Sequence, residues 1–267
     1  MAIQPTQPQT IGGVLDTTFQ LYKGSIGKVW ILCLLGAIGG TLPSLYMVFG
    51  GSANPADPLA ALGMMSKPGY WLANLATIIL SLWSMGAVYL KVHAIGTDTD
   101  MGLGEALTTG LRKVPLLFVT GVLFGIALAV GLVLLVIPGL ILMVSLMLCF
   151  NLVLFEDKGP IAALTGSHNL VWGNWWRTTA VLTVGLIIVM VIYVAVGVVL
   201  GVAIPLIGLG AGDPLMVGLI SGVIIGVLAS VVLTPFYVSM GIALYWDLKM
   251  RKEGGDLAAR VGSLGTA

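Results

Sequence analysis

Residues 114–155 read VPLLFVTGVLFGIALAVGLVLLVIPGLILMVSLMLCFNLVLF, 42 residues from Val114 to Phe155 without one charge. As a single helix rising about 1.5 Å per residue it would measure roughly 63 Å, about twice a hydrocarbon core of roughly 30 Å. The chain must therefore turn back within it. Pro138-Gly139 is the turn signal, because proline ends a helix and glycine accepts left-handed dihedrals. Two antiparallel spans joined by a tight hairpin follow. The return leg is short, so local thinning or burial by neighbours is needed.

Working outward, the same length criterion gives six spans, at roughly 29–49, 70–90, 114–136, 140–155, 178–206 and 216–246. Composition agrees: 58% of residues are apolar and 9% charged, where soluble domains carry about 25% charged residues. The expected fold is all-α, a polytopic bundle of six transmembrane helices. Residues 1–267 then form one integral membrane domain with tails 1–28 and 247–267. No excess of basic residues points to nucleic acid.

The charges fall unevenly. Lys23, Lys28, Lys91, Arg112, Lys113, Lys158, Arg177, Lys249, Arg251, Lys252 and Arg260 all lie on one side of the spans, and only Lys67 on the other. Eleven against one places both termini in the cytoplasm by the positive-inside rule. Met1 to Thr10 is polar with two prolines, unlike a signal peptide, so the first span reads as an uncleaved anchor.

Three stretches on the basic side carry apolar residues at helical spacing. They are Ile11, Leu15, Phe19, Tyr22 and Ile26, with Thr10 as N-cap; Leu103, Leu107, Leu111 and Val114; and Ile161, Leu164, His168, Val171 and Trp175. Each directly precedes an odd-numbered span and is expected to be an amphipathic helix along the interface. The regularity suggests a threefold parallel repeat of one interfacial helix and two spans. In span six, Pro235 predicts a kink whose freed carbonyl is satisfied by Ser230 or Thr234. Pro205 and the glycine-rich run 208–214 make a short loop before it.

Glycine makes up 37 of 267 residues, and its spacing is ordered. Gly36 and Gly40, Gly121 and Gly125, Gly197 and Gly201, and the ladder Gly218, Gly222 and Gly226 each recur every four residues. Residues four apart share a helix face, where a missing side chain lets a second backbone approach. Two readings stand: general packing within the bundle, or a homo-oligomer face on span six.

Reacting groups are sparse. None of the eleven Asp and Glu residues falls near mid-bilayer, where catalytic or coupling charges are usually held. Glu156 and Asp157 read as a solvated turn, because neighbours in sequence do not face each other on a helix. His93 and His168 lack a second ligand at metal spacing, and Cys33 and Cys149 read as small apolar side chains. Asn74 and Asn151 are each expected to make an interhelical hydrogen bond. Trp172, Trp175, Trp176 and Arg177 form the densest cluster, read as an interfacial anchor or, alternatively, as recognition of a particular lipid. No cofactor is expected.

Several runs carry a resemblance. Val136-Ile137-Pro138-Gly139-Leu140-Ile141-Leu142, the stretch from Phe155 through Glu156-Asp157-Lys158-Gly159-Pro160 to Leu164, Trp175-Trp176-Arg177, and Tyr245-Trp246-Asp247-Leu248-Lys249-Met250-Arg251 resemble the glycerophosphoryl diester phosphodiesterase membrane-domain family and the similar YciC-like inner-membrane proteins. Ile11-Gly12-Gly13-Val14-Leu15-Asp16 is similar to the family's usual start. The resemblance implies a multi-pass protein of the bacterial cytoplasmic membrane. It implies no catalytic residue here, because the His and carboxylate set of a metal-dependent phosphodiesterase has no counterpart in this sequence.

The first expectation is therefore a non-enzymatic packing or interaction component of the cell envelope. Its expected partners are membrane lipids, a second copy of the chain or other membrane proteins, and no nucleic acid. The alternative is a transporter or permease for a small or lipid-like solute; a membrane-embedded hydrolase ranks last. The bundle interior discriminates: a lipid-sized cavity favours transport, a filled core favours packing.

Overall fold

The computed structural model describes residues 2–49, 63, 65–204 and 214–264. In chain order the helices are α1 (Ile11–Phe49), α2 (Pro68–Gly96), α3 (Leu103–Leu134), α4 (Val136–Leu146), α5 (Cys149–Phe155), α6 (Pro160–Val171), α7 (Trp175–Ile204) and α8 (Pro214–Leu264). No strand occurs among the described residues. Six helical stretches are long and apolar enough to cross a membrane, with α4 and α5 together making the fourth. The chain is an all-α multi-pass membrane protein. The loop expected at Pro205 and the glycine-rich residues after it lies outside the described residues.

The decisive hairpin forms, but not at the turn signal. The break is the single extended residue Leu135, at φ −167° and ψ 146°, and Pro138-Gly139 lies in the first turn of α4. Gly139 is there for close approach and does not take a left-handed conformation. A Cβ on Gly131 would stand 3.1 Å from the Gly139 Cα, and one on Gly139 would stand 3.0 Å from the Leu132 amide nitrogen. Two bare backbones pressed together let one residue reverse the chain.

The return leg is broken as well as short. Between α4 and α5 the Ser167 hydroxyl accepts from the Leu148 amide at 3.1 Å and donates to the Ser145 carbonyl at 2.8 Å. A side chain inserted into the helical ladder is a known cause of such a break.

The three interfacial stretches are not built alike. The first two continue into their spans as the opening turns of α1 and α3, and only the third is a separate helix, α6. A turn at residues 172–174 divides α6 from α7, with Gly173 at φ +91°, a conformation that favours glycine. Thr10 does cap α1, its hydroxyl accepting from the Gly13 amide at 3.1 Å. The apolar stripe of α1, however, lies at the margin of the core, with Leu15 and Tyr22 packed against buried residues. Val14, Thr17, Thr18, Leu21 and Ser25 are buried, while Ile11 and Phe19 are exposed. On α3 the buried positions are likewise Ala106 and Gly110, with Leu103 and Leu111 exposed.

Helix α8 sets the plan of the bundle. From Phe236 to Leu248 every residue except Tyr237 is buried, against α1, α2, α5 and α7. Towards its start Ile220 and Leu228 are exposed. The dense core therefore lies at the end where the basic residues gather. The helix runs continuously through Pro235, and Ser230 donates to the Gly226 carbonyl at 2.7 Å, so it does not serve the carbonyl freed by the proline.

Candidate functional site

At the end opposite the ion pairs, α1 and α8 part and leave a cleft of about 840 Å³ with α2 at its floor. Its origin lies in two unequal contacts. On one side α1 is zipped to α2: a Cβ on Gly36 would stand 2.5 Å from the Ser84 hydroxyl, and one on Gly39 would stand 2.7 Å from the Leu80 Cβ. Ser84 donates to the Leu32 carbonyl at 2.6 Å, and Thr77 to the Gly39 carbonyl at 2.8 Å. On the other side the α8 ladder of Gly218, Gly222 and Gly226 meets nothing within 4 Å, and neither does Gly40 across from it.

Small residues make this space. Cys33, Gly36, Ala37 and Gly40 line it from α1, and Ser230 and Thr234 continue the α8 wall below the glycines. None of the lining residues carries a charge; Thr41, Ser44, Ser81 and Ser84 add hydroxyls to an otherwise apolar surface. Two residues beyond Thr234 stands a cluster of aromatic rings. Phe236 is fully buried, its ring 5.5 Å from that of Phe19 and 5.8 Å from that of Tyr22. The site is a slot open between helices.

The remaining glycine pairs lie elsewhere. Gly125, Gly197 and Gly201 have nothing within 4 Å, and Gly121 only the ring edge of Phe150 at 3.9 Å. Apart from Gly36, the close helix crossings use glycines outside the four-residue pairs. A Cβ on Gly110 would stand 3.0 Å from the Ala87 nitrogen, one on Gly86 would stand 3.1 Å from Leu117, and Gly185 lies directly against Met240.

The tryptophan cluster divides. Trp172 and Trp176 are exposed, while the Trp175 indole N–H donates to the Ile141 carbonyl at 3.4 Å. Arg177 lines one surface hollow with all three, while its guanidinium reaches Asp247. Its Nε donates to Asp247 Oδ2 at 3.0 Å, Arg251 Nε donates to the same oxygen at 3.1 Å, and the Gln9 amide donates to Oδ1 at 2.8 Å. Both guanidinium groups also donate to the Gln9 carbonyl. Asp247 has no exposed surface, and the three charge-assisted hydrogen bonds it accepts offset that burial. The knot joins the N-terminal segment, α7 and α8. Its one legible trace was Asp247 four residues before Arg251, a helical ion-pair spacing.

Glu156 forms a second junction where a solvated turn was expected. It accepts from Lys158 and Lys249 at 2.8 Å each and from the Tyr245 hydroxyl at 2.5 Å. Burial raises its pKa, but the hydrogen bonds from Lys158, Lys249 and Tyr245 outweigh that and hold it at about 2. Asp157 does lie in solvent, paired with Lys113. His93 stacks on Phe155 at 4.1 Å, and His168 lies 5.0 Å from the Trp172 ring. Asn151 makes the expected bond to another helix, donating to the Gly241 carbonyl at 2.8 Å; Asn74 instead donates to Tyr70 on its own helix.

No curated protein and no solved structure matches this chain. A family model described as Domain of unknown function (DUF7847) matches residues 65–248, from just before α2 to the buried foot of α8. That match covers more than half of the sequence, and the chain belongs to this family.

Proposed function

We propose that this protein is a non-enzymatic membrane carrier that holds one apolar or lipid-like solute in the cleft between α1, α2 and α8. The cleft itself is the observation that supports this reading. Its volume falls within the range of about 300–1,000 Å³ usual for small-molecule sites, too small for a second macromolecular domain. Uncharged walls suit a hydrocarbon occupant, and the hydroxyls of Thr41, Ser44, Ser81 and Ser84 offer hydrogen bonds to a small polar head. A polar solute or coupling ion would call for charged groups along the path.

The basic end is the cytoplasmic one in this proposal, because eleven of the twelve Lys and Arg residues lie on that side of the spans. The membrane would be the cytoplasmic membrane of a bacterium. Reporter fusions at both ends check the orientation: both should report from the cytoplasm, and labels on opposite sides would reject it.

Native mass spectrometry of the purified chain tests the occupant. The wild type is expected to retain one lipid-like ligand, Gly222→Trp to lose it, and Gly197→Trp, on α7 and away from the cleft, to keep it. Equal retention in both variants would reject the cleft as the site. The open α8 ladder also suits a second helix, the packing role first expected from spacing alone. A dimer mass abolished by Gly222→Trp would favour that reading instead.

A further inference from the structure

We infer that the occupant of the cleft is an uncharged long-chain alcohol, its hydroxyl at the inner end beside Ser81 and Thr234 and its chain running out along the α8 glycines. The inference rests on the cleft being the solute site and adds the chemical class of the solute and the way round it lies.

Four of the cleft's hydroxyls gather near one level. Helices α2 and α8 run the same way, since Tyr89 lies against Gly241 and, further on, Gly96 lies against Trp246. Counting back equally from Tyr89 and Gly241 brings Ser81 level with Leu233, the neighbour of Thr234. Ser84 shares a helix face with Ser81, and Ser230 shares one with Thr234. All four line the cleft, and Ser81 stands near the middle of α2.

Their bonding differs. Ser84 donates to the Leu32 carbonyl at 2.6 Å and Ser230 to the Gly226 carbonyl at 2.7 Å, so each can only accept a further bond. Ser81 and Thr234 make no hydrogen bond to another described residue. A hydroxyl within a helix commonly donates to the carbonyl one turn back, as those of Thr18, Thr120 and Thr183 do. Two unused hydroxyls and two acceptors at one level suit a head that both donates and accepts, and an alcohol does both. A carbonyl head only accepts and leaves Ser84 and Ser230 unserved. An ionised head would be an unpaired charge inside the membrane, because no lining residue is charged.

The rest of the slot suits hydrocarbon. Outward from Ser230 the α8 wall is glycine, valine and isoleucine, and Leu45 and Phe49 of α1 line the open end. From Thr234 to Gly218 that wall rises about 24 Å, more than the roughly 15 Å of one hydrocarbon leaflet.

Equilibrium binding tests the head. Full-length protein, delipidated in detergent micelles, is given radiolabelled 1-hexadecanol, hexadecanoate or hexadecane, with Gly222→Trp as background. We expect one hexadecanol per chain. Hexadecanoate, ionised at about pH 8, should bind more than about tenfold more weakly. Ser81→Ala and Thr234→Val should each weaken hexadecanol about fivefold, the weight of one hydrogen bond, and leave hexadecane unchanged. Thr234→Ser, which keeps the hydroxyl, and Ser44→Ala, nearer the open end, should bind as the wild type does. Hexadecanoate bound as tightly as hexadecanol, or Ser81→Ala and Thr234→Val without effect on hexadecanol or with equal effect on hexadecane, would overturn the alcohol head. A co-purified ligand lost in Gly222→Trp, with no hexadecanol bound by the wild type, rejects the alcohol alone. Hexadecanol binding that survives Gly222→Trp rejects the cleft itself.

Discussion

Asp247, without exposed surface, receives Arg177 of α7, 70 residues earlier in the chain, at 3.0 Å. The pair closes the bundle at its basic end, because Gln9 of the N-terminal segment binds the same carboxylate. Removing one member of a buried ion pair strands the other, which typically costs about 3–5 kcal/mol. Asp247→Ala strands two guanidinium groups and is expected to lower the unfolding midpoint in detergent most. Arg177→Gln should follow, and Arg251→Gln should cost least, because its side chain is the most exposed of the three. Equal midpoints for wild type and Asp247→Ala would show that the knot contributes nothing.

Glu156 gives the pH dependence its sign. Its folded value, about 2, lies below the value of about 4.3 for a free glutamate. A depressed carboxylate adds stability that is complete above its unfolded value and is lost as pH falls through its folded value. The midpoint difference between wild type and Glu156→Gln is therefore expected to hold steady at neutral pH and shrink between about pH 4 and 2. A difference unchanged across that window would mean that Lys158, Lys249 and Tyr245 do not favour the ionised form.

The spans were legible because crossing a bilayer depends on length and apolar composition, and both are written locally in the sequence. Residues 114–155 needed only their length to demand a hairpin. Which glycines pack was not legible. Spacing puts Gly197 and Gly201 on one face but does not say whether another helix passes there, and none comes within 4 Å. Apolar periodicity served only in part in α1, where Leu15 and Tyr22 pack against buried residues, for a related reason. Surroundings that are themselves apolar accept Ile11 and Phe19 outside, so Thr17, Thr18 and Ser25 take the inside. The cleft was equally hidden, since it depends on how far α8 stands from α1. The role of Asp247 was hidden too, because its partner Gln9 lies 238 positions away.

Gly110 tests the distinction between spacing and contact. An alanine Cβ there would stand 3.0 Å from the Ala87 nitrogen and 3.3 Å from its Cα, and backbone cannot rotate aside. Gly110→Ala is expected to push α2 from α3 and to cost about 1–3 kcal/mol, as overpacking usually does. Gly125→Ala adds a methyl where nothing lies within 4 Å, so its midpoint should equal or exceed that of the wild type. If both variants melt alike, the α2–α3 crossing is looser than these distances require.

Ser167 decides whether the broken return leg is held or merely tolerated. Its hydroxyl serves the Leu148 amide and the Ser145 carbonyl, and all three groups are buried. Ser167→Ala leaves both backbone groups without that partner, at about 1–3 kcal/mol for a buried unsatisfied group. Thr165→Ala two residues away removes only an exposed bond to Ile161 on its own helix, and should change little. Hydrogen exchange at the Leu148 amide adds a local readout: it should quicken in Ser167→Ala and stay unchanged in Thr165→Ala. Should the midpoint and the exchange both stay at wild-type values in Ser167→Ala, the break between α4 and α5 is set by helix packing, and the serine only occupies the gap.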